Sequence, residues 1–327
     1  IVHQDVDAAQ FCHAARHHHE RTTMTTPPSG GVCWLNGRFV PLAEAAIPLL
    51  DPGFTRGASV YDTTSVWSNQ FFRLDDHVDR FFRSCEKGRL SPPVDKAEVK
   101  RIVAECTSQA GLDAAFVQMI CTRGPYKNPT VRDPRQCSNT FYAYAMPYIW
   151  IVRPDRQDEG IDLAIAVGNR RTPKEAIDPT MKNFNWLDLT KGLLEGLDRG
   201  ADNAVLCTPD GLLSEGAGFN VFVVSGGRVR TPRGNALEGI TRRTVLELCG
   251  LLGIDAAEAD LSPDDLRTAD EAFLSSTAGG IMPVAAVDGR PLAHGEGPGP
   301  VSKQLRTEYW ARREAGWLGT PVASLVG

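Results

Sequence analysis

The sequence predicts an α+β protein built of two domains. At 327 residues the chain exceeds the size at which a single hydrophobic core keeps growing. Its first half combines tight hairpins with helices, and its second half reads as an antiparallel meander rather than the strand–helix alternation of a doubly wound sheet.

In chain order, residues 32–40 carry Asn36-Gly37 between two apolar runs, the strongest short-range hairpin signal. Residues 61–67 and 70–74 flank Ser68-Asn69 as a second hairpin. A helix is expected from about Asp76, capped by Asp75, to Lys87, and another from about Asp95 to Gly111. Residues 115–123 and 140–146 read as strands around the polar loop 124–139. Periodicity lapses over 147–158, where Arg153-Pro154-Asp155 reads as a linker. A strand at 162–167 and a helix headed by Lys182 and ending near Gly200 follow. The meander then takes in residues 203–208, 212–214, 219–224 and 228–231, before a helix at 241–252 and a strand at 271–274. The expected division is a leader over 1–31, a small domain over 32–148, a linker over 149–158 and a large domain over 159–327.

Composition narrows the function. A net charge of -5 provides no broad basic field, which argues against nucleic acid and anionic membranes as partners. The longest apolar stretch, around 143–152, is broken by Pro147 and is too short to span a bilayer. The leader has no apolar signal-peptide core, and its His17-His18-His19 run is set aside from the site argument. Eight scattered cysteines lack any Cys-x-x-Cys spacing and read as reduced thiols of a cytoplasmic protein, without a structural zinc site. Beyond the leader only His77 and His294 remain, too few for a histidine metal centre, and His77 is expected on a helix surface. Lysine is scarce, eight against twenty-seven arginines, so few residues can serve as a Schiff-base amine.

Lys182 is the most informative of them. Its expected place at a helix opening, beside the apolar run 184–189, sets the dipole and desolvation against a protonated ammonium. A neutral amine is what attack on a carbonyl requires. Glu215, in Ser214-Glu215-Gly216-Ala217-Gly218 between two strands, is a carboxylate in a partly dry turn, able to keep a pyridine nitrogen protonated. Glu238-Gly239-Ile240-Thr241-Arg242 ends a loop and opens a helix, and Ser275-Ser276-Thr277-Ala278-Gly279-Gly280 adds hydroxyls and flexible backbone. Both segments suit a phosphate, with Arg80 as a charged partner.

The order Arg80, Lys182, Glu215, Ile240-Thr241, Ser276-Thr277 resembles the fold type IV pyridoxal phosphate enzymes, which include branched-chain and D-amino acid aminotransferases and aminodeoxychorismate lyase. Within that group the chain is most similar to the (R)-selective amine transaminases, through Ile47-Pro48-Leu49-Leu50-Asp51, Phe72-Arg73-Leu74-Asp75-Asp76-His77, Lys182-Asn183-Phe184 and Thr277-Ala278-Gly279-Gly280-Ile281-Met282-Pro283. The resemblance implies a smaller N-terminal α/β domain and a larger C-terminal domain with an antiparallel barrel-like sheet and flanking helices.

It also implies roles. Lys182 would hold pyridoxal 5′-phosphate as a Schiff base and shuttle the proton, Glu215 would pair with the ring nitrogen, and Leu237 would pack on the ring. Arg80, the Ile240 and Thr241 amides and the Ser276-Thr277 segment would bind the phosphate. Tyr61, Thr63, Phe116, Gln118, Trp186 and Ala278 would form the substrate pockets. Arg132, in the loop after the 115–123 strand, or Arg56 would bind a keto-acid carboxylate. Arg56 stands where these transaminases usually show a histidine, and Thr63 and Gln118 are more polar than some relatives' pocket residues. The implied activity is transfer of an amino group from a primary amine, (R)-configured, to a keto acid such as pyruvate, in a homodimer. The alternatives are a D-amino acid or branched-chain donor, a lyase of the aminodeoxychorismate type, and a noncatalytic scaffold of the same fold.

Overall fold

The computed structural model describes residues 30–128, 130–295 and 297–327. The leader expected over 1–31, with His17-His18-His19 and Cys12, lies outside them except for Gly30 and Gly31. Chain order begins with β1 (Val32–Leu35), β2 (Arg38–Pro41), α1 (Pro52–Thr55), β3 (Ser59–Trp67), β4 (Gln70–Phe72), α2 (Leu74–Lys87), α3 (Lys96–Gln109), β5 (Ala115–Thr122) and β6 (Thr140–Pro147). Asn36 and Gly37 both have positive φ, as do Ser68 and Asn69, so both tight hairpins form through the left-handed backbone their residues favour.

The second half contains α4 (Pro154–Glu159), β7 (Ile161–Arg170), α5 (Leu187–Asp198), β8 (Asn203–Cys207), β9 (Leu213–Gly216), β10 (Phe219–Ser225), β11 (Arg228–Pro232) and α6 (Ile240–Leu251). It continues through β12 (Ala256–Ala259), α7 (Pro263–Arg267), β13 (Glu271–Ser276), β14 (Gly280–Val287), β15 (Arg290–Pro291), α8 (Pro300–Glu314) and β16 (Gly319–Pro321).

Two sheets result. The first has seven strands in the order β16-β4-β3-β5-β6-β1-β2. The second runs β12-β11-β10-β13-β14-β7-β8-β9, and β9 also pairs with β10, so the strands from β10 through β13, β14, β7 and β8 to β9 close on themselves. That ring is the barrel-like sheet. Helices α2 and α3 bury Phe81, Val78, Val99 and Ile102 against the first sheet, while α6 and α8 bury Val245, Leu248, Leu305 and Tyr309 against the second.

Several expectations need correction. Helix α2 starts at Leu74, with Arg73 in the left-handed conformation before it and no side-chain cap, so Asp75 lies inside the helix. His77 is 1% exposed, turned inward rather than to solvent. The linker region contains a short helix, α4, and the final strand β16 pairs with β4 in the first sheet although its residues fall in the expected large domain. Lys182 precedes α5 by five residues on an irregular segment and does not head that helix. Strand β14 escaped the sequence reading because Pro283 interrupts its apolar run. Among the described residues no helix is long and apolar enough to cross a membrane.

Candidate active site

A cavity of about 560 Å³ opens between the first sheet and the barrel. Strand β3 contributes Tyr61 and Thr63, β5 contributes Phe116 and Gln118, and α2 sends in Arg80. The barrel side supplies Glu215, Asn220 and the 275–278 segment, and the loop before α6 supplies Leu237 and Gly239.

Lys182 is held there by backbone. Its carbonyl accepts the Tyr61 N–H at 3.1 Å, its own N–H donates to Ser84 Oγ at 3.1 Å, and Asn183 bridges to Val60. The segment therefore adds itself to the edge of β3 against the end of α2. Its Nζ lies 4.5 Å from the centroid of the Tyr61 ring, and that ring stacks on Phe184 at 4.3 Å. Burial, reinforced by the nearby Arg80 guanidinium, brings the Lys182 amine down to about 8. Desolvation acts as the sequence indicated, and a neighbouring cation stands in place of the helix dipole that it also invoked.

Beneath it, Arg80 grips Asp62 with two nitrogens, Nε to Oδ2 at 2.7 Å and Nη2 to Oδ1 at 2.9 Å, while Nη1 donates to the Glu238 carbonyl at 3.0 Å. His77 Nδ1 lies 2.7 Å from Asp62 Oδ1. Asp62 is fully buried; burial opposes its charge, but Arg80 and His77 outweigh it and hold the carboxyl well below the usual range. Burial pushes the His77 imidazole down, so a neutral ring donates Nδ1–H to the carboxylate. The fork arrangement fixes the guanidinium plane.

Glu215, on β9, is also buried. Its Oε1 accepts from Arg171 Nη2 at 3.0 Å and its Oε2 from the Leu237 N–H at 3.1 Å. Burial raises the carboxyl above its ordinary value, and Arg171 and the Leu237 amide oppose that rise.

Helix α6 opens at Gly239 without any side-chain cap, leaving the first amides unpaired by their own chain. The 277–279 turn faces the same cavity and is braced by Tyr148, whose hydroxyl donates to Thr277 O at 2.8 Å and accepts from Gly279 N at 3.0 Å. Ser276 Oγ is committed to the Gly218 carbonyl at 2.8 Å and accepts the Ala278 N–H at 3.1 Å.

The amino-transferase class IV family model matches residues 59–287. The chain belongs to the class IV aminotransferases. It is 32% identical to a putative branched-chain-amino-acid aminotransferase of Methanocaldococcus jannaschii over 279 residues, 84% of this chain and 94% of that one. It is 28% identical to the D-alanine aminotransferase of Bacillus licheniformis, over 83% and 93% of the two chains. The solved structure of the branched-chain amino acid aminotransferase from Thermobaculum terrenum, in its PLP-bound holo form, superposes with a TM-score of 0.78 at 26% identity, covering 90% of this chain and 99% of that one.

This aminotransferase has fold type IV and uses pyridoxal phosphate. The residues in the cavity fit that group. They combine a lysine amine of lowered proton affinity, an uncapped helix start beside Arg80, and Ser275 Oγ, buried on the lining without a partner. Gly239 also leaves a cradle: a Cβ there would meet Asn220 Oδ1 at 2.1 Å.

Of the residues the sequence pointed to, Lys182, Arg80, Glu215, Leu237, Ile240, Thr241, Ser276, Thr277, Tyr61, Thr63, Phe116, Gln118, Trp186 and Ala278 all line the cavity. Arg56 and Arg132 lie outside its lining. Sequence reasoning missed Asp62, His77, Arg171 and Asp188. It also missed Ile149 and Ile151, cavity walls inside the expected linker. An acidic residue in the middle of the strand-forming run 59–66 was the available signal for Asp62, since a buried carboxylate demands a cation.

Proposed function

We propose that this aminotransferase takes its amino group from a small apolar primary amine, (R)-configured, and passes it to a keto acid such as pyruvate, and that Lys182 forms the Schiff base. The supporting observation is the charge inventory of the cavity. Among the described residues its lining cations are Lys182, Arg80 and Arg171, and the two arginines are already engaged with Asp62 and Glu215. Arg171 is spent on Glu215 and Asp188, and Arg80, fixed by Asp62, is assigned here to the phosphate, which leaves no lining cation for a donor's carboxylate, whereas Tyr61, Phe116, Ile149, Phe184 and Trp186 offer apolar and aromatic wall to an uncharged substituent.

In this reading Arg80 and the Ile240 and Thr241 amides hold the phosphate, with the 276–277 segment alongside. Leu237 would pack on the ring and Glu215 would face its nitrogen. Bound pyridoxal phosphate supplies the electron sink. Lys182 Nζ, with its proton affinity lowered by burial, would be the group that takes up and returns the substrate proton. Thr63 and Gln118, joined Nε2 to Oγ1 at 3.2 Å, give one wall a polar strip, and Ala278 keeps the opposite wall small. Arg132 serves the keto-acid carboxylate by a loop movement, with Arg56 as the competing residue.

The working form is a homodimer in the cytoplasm. Leu49, Leu50 and Phe54 expose large apolar side chains, as do Phe184 and Leu187, and the two groups are tied together by the Asn185–Gly57 hydrogen bond. Sedimentation should give twice the chain mass. The small unit over 32–148, the linker over 149–158 and the large unit over 159–327 are the proposed domains, with β16 returned to the first sheet.

A second reading, a branched-chain amino acid donor, draws support from the names of the relatives above. Initial rates with the (R)- and (S)-forms of an arylalkylamine, L-leucine and D-alanine, each with pyruvate and a branched keto acid, separate the readings. A clear (R)-amine preference supports the first, and L-leucine as best donor overturns it.

A further inference from the structure

We propose that Arg171, held by Asp188, is a positioning residue that keeps the Glu215 carboxylate charged and aimed, and so sets the protonation of the cofactor's ring nitrogen; the proposal rests on the reading that Glu215 faces that nitrogen. Arg171 follows directly on β7, and Asp188 sits in the first turn of α5. Arg171 Nη1 donates to Asp188 Oδ2 at 2.5 Å and Nη2 donates to Glu215 Oε1 at 3.0 Å. The guanidinium thus spans two carboxylates on different elements.

Asp188 is itself immobilised, since Oδ2 also accepts the Thr172 N–H at 2.7 Å and Oδ1 the Leu189 N–H at 2.7 Å. The Arg171 side chain is 12% exposed and that of Asp188 13%, so this bridge is shielded from screening. Its Nε is buried without an acceptor, leaving the two carboxylates as its anchors.

The remaining charged or titratable groups around Glu215 are few. Lys182 and Tyr61 approach from the other side of the cavity, and the Leu237 amide meets Oε2. A buried carboxylate tends to take up a proton, and here burial does push Glu215 upward. Arg171 is the largest opposing influence. Without it the Glu215 carboxyl would rise further, and a protonated carboxyl can donate a hydrogen bond to a pyridine nitrogen but cannot stabilise its protonated form. The cost of a full guanidinium–carboxylate pair inside the protein is explained if its task is electrostatic tuning.

The test compares Arg171→Met, Arg171→Lys, Glu215→Gln and the Arg171→Met/Glu215→Gln double variant, each reconstituted with pyridoxal phosphate. Two quantities are read: the pH dependence of the cofactor's visible absorption and its dissociation constant from quenched tryptophan fluorescence. Arg171→Met should shift the absorption titration in the same direction as Glu215→Gln and weaken cofactor binding about tenfold, the loss of one charge-assisted hydrogen bond. Arg171→Lys should restore part of both, and in the Glu215→Gln background Arg171→Met should shift the titration no further. An unshifted titration in Arg171→Met beside a shifted one in Glu215→Gln overturns the role of Arg171 alone. No shift in Glu215→Gln overturns the placement of Glu215, and the proposal with it.

Discussion

Tyr61 and Lys182 meet twice: the Tyr61 backbone N–H donates to the Lys182 carbonyl, and the Tyr61 ring carries the Lys182 amine 4.5 Å from its centroid. One strand residue therefore fixes both ends of the lysine. The ring's cation–π attraction favours the charged amine, yet burial and Arg80 win and the amine comes down to about 8. Lys182→Ala should accordingly abolish covalent attachment of the cofactor and all transamination while leaving the fold intact. Borohydride reduction and peptide mapping of the parent protein should place the pyridoxyl group on Lys182, and a label on Lys191 would refute this.

The same lowered amine makes a pH prediction for the cofactor-free protein. The unfolded lysine, at its ordinary value of 10.5, holds its proton more tightly than the folded one, so stability rises as pH climbs from about 8 towards 10.5. Below about pH 8 the penalty is present in full. Lys182→Met should be more stable than the parent by a few kcal/mol at pH 7, and urea titrations should show the gap closing by about pH 10.5.

Asp62→Asn should be among the most damaging single changes. It leaves the Arg80 guanidinium buried beside a neutral amide, a loss of about 3–5 kcal/mol. Because the folded Asp62 carboxyl lies below its ordinary value, its contribution is complete above the unfolded value of 3.8 and is lost as pH falls through the lower folded one. Acid unfolding of the parent and Asp62→Asn should therefore converge at low pH. His77→Gln should weaken pyridoxal phosphate binding less than Asp62→Asn does.

For Glu215→Gln, single-turnover absorbance should show the amine half-reaction slowed about 100- to 1,000-fold with cofactor still bound. Unchanged kinetics would mean that the ring-nitrogen partner is another residue.

Arg132→Ala should raise KM for pyruvate several-fold and spare the half-reaction with a neutral amine. Equal loss in both half-reactions, or a selective loss only in Arg56→Ala, would refute the assignment to Arg132.

The chemistry-bearing residues were readable because their types are unusual where they stand. Lys182 is one of few lysines, and Glu215 sits among glycines between strands. Their supports were not readable, since Asp62 meets Arg80 across 18 positions and Arg171 meets Glu215 across 44. Such pairings are set by how strands and helices pack, which no local pattern encodes. The hairpins at Asn36-Gly37 and Ser68-Asn69 were local and came through, whereas β14, crossed by Pro283 yet central to the barrel, did not.

The return of β16 to the first sheet has a consequence for biosynthesis. Strand β4 receives one of its two neighbours only after every strand of the barrel has been made. During translation its outer edge, next to the buried Phe71 and Phe72, stays open to adventitious strand pairing. The first sheet is thus sealed last, and a nascent chain interrupted before Gly319 should be prone to aggregate through β4 even with its barrel assembled.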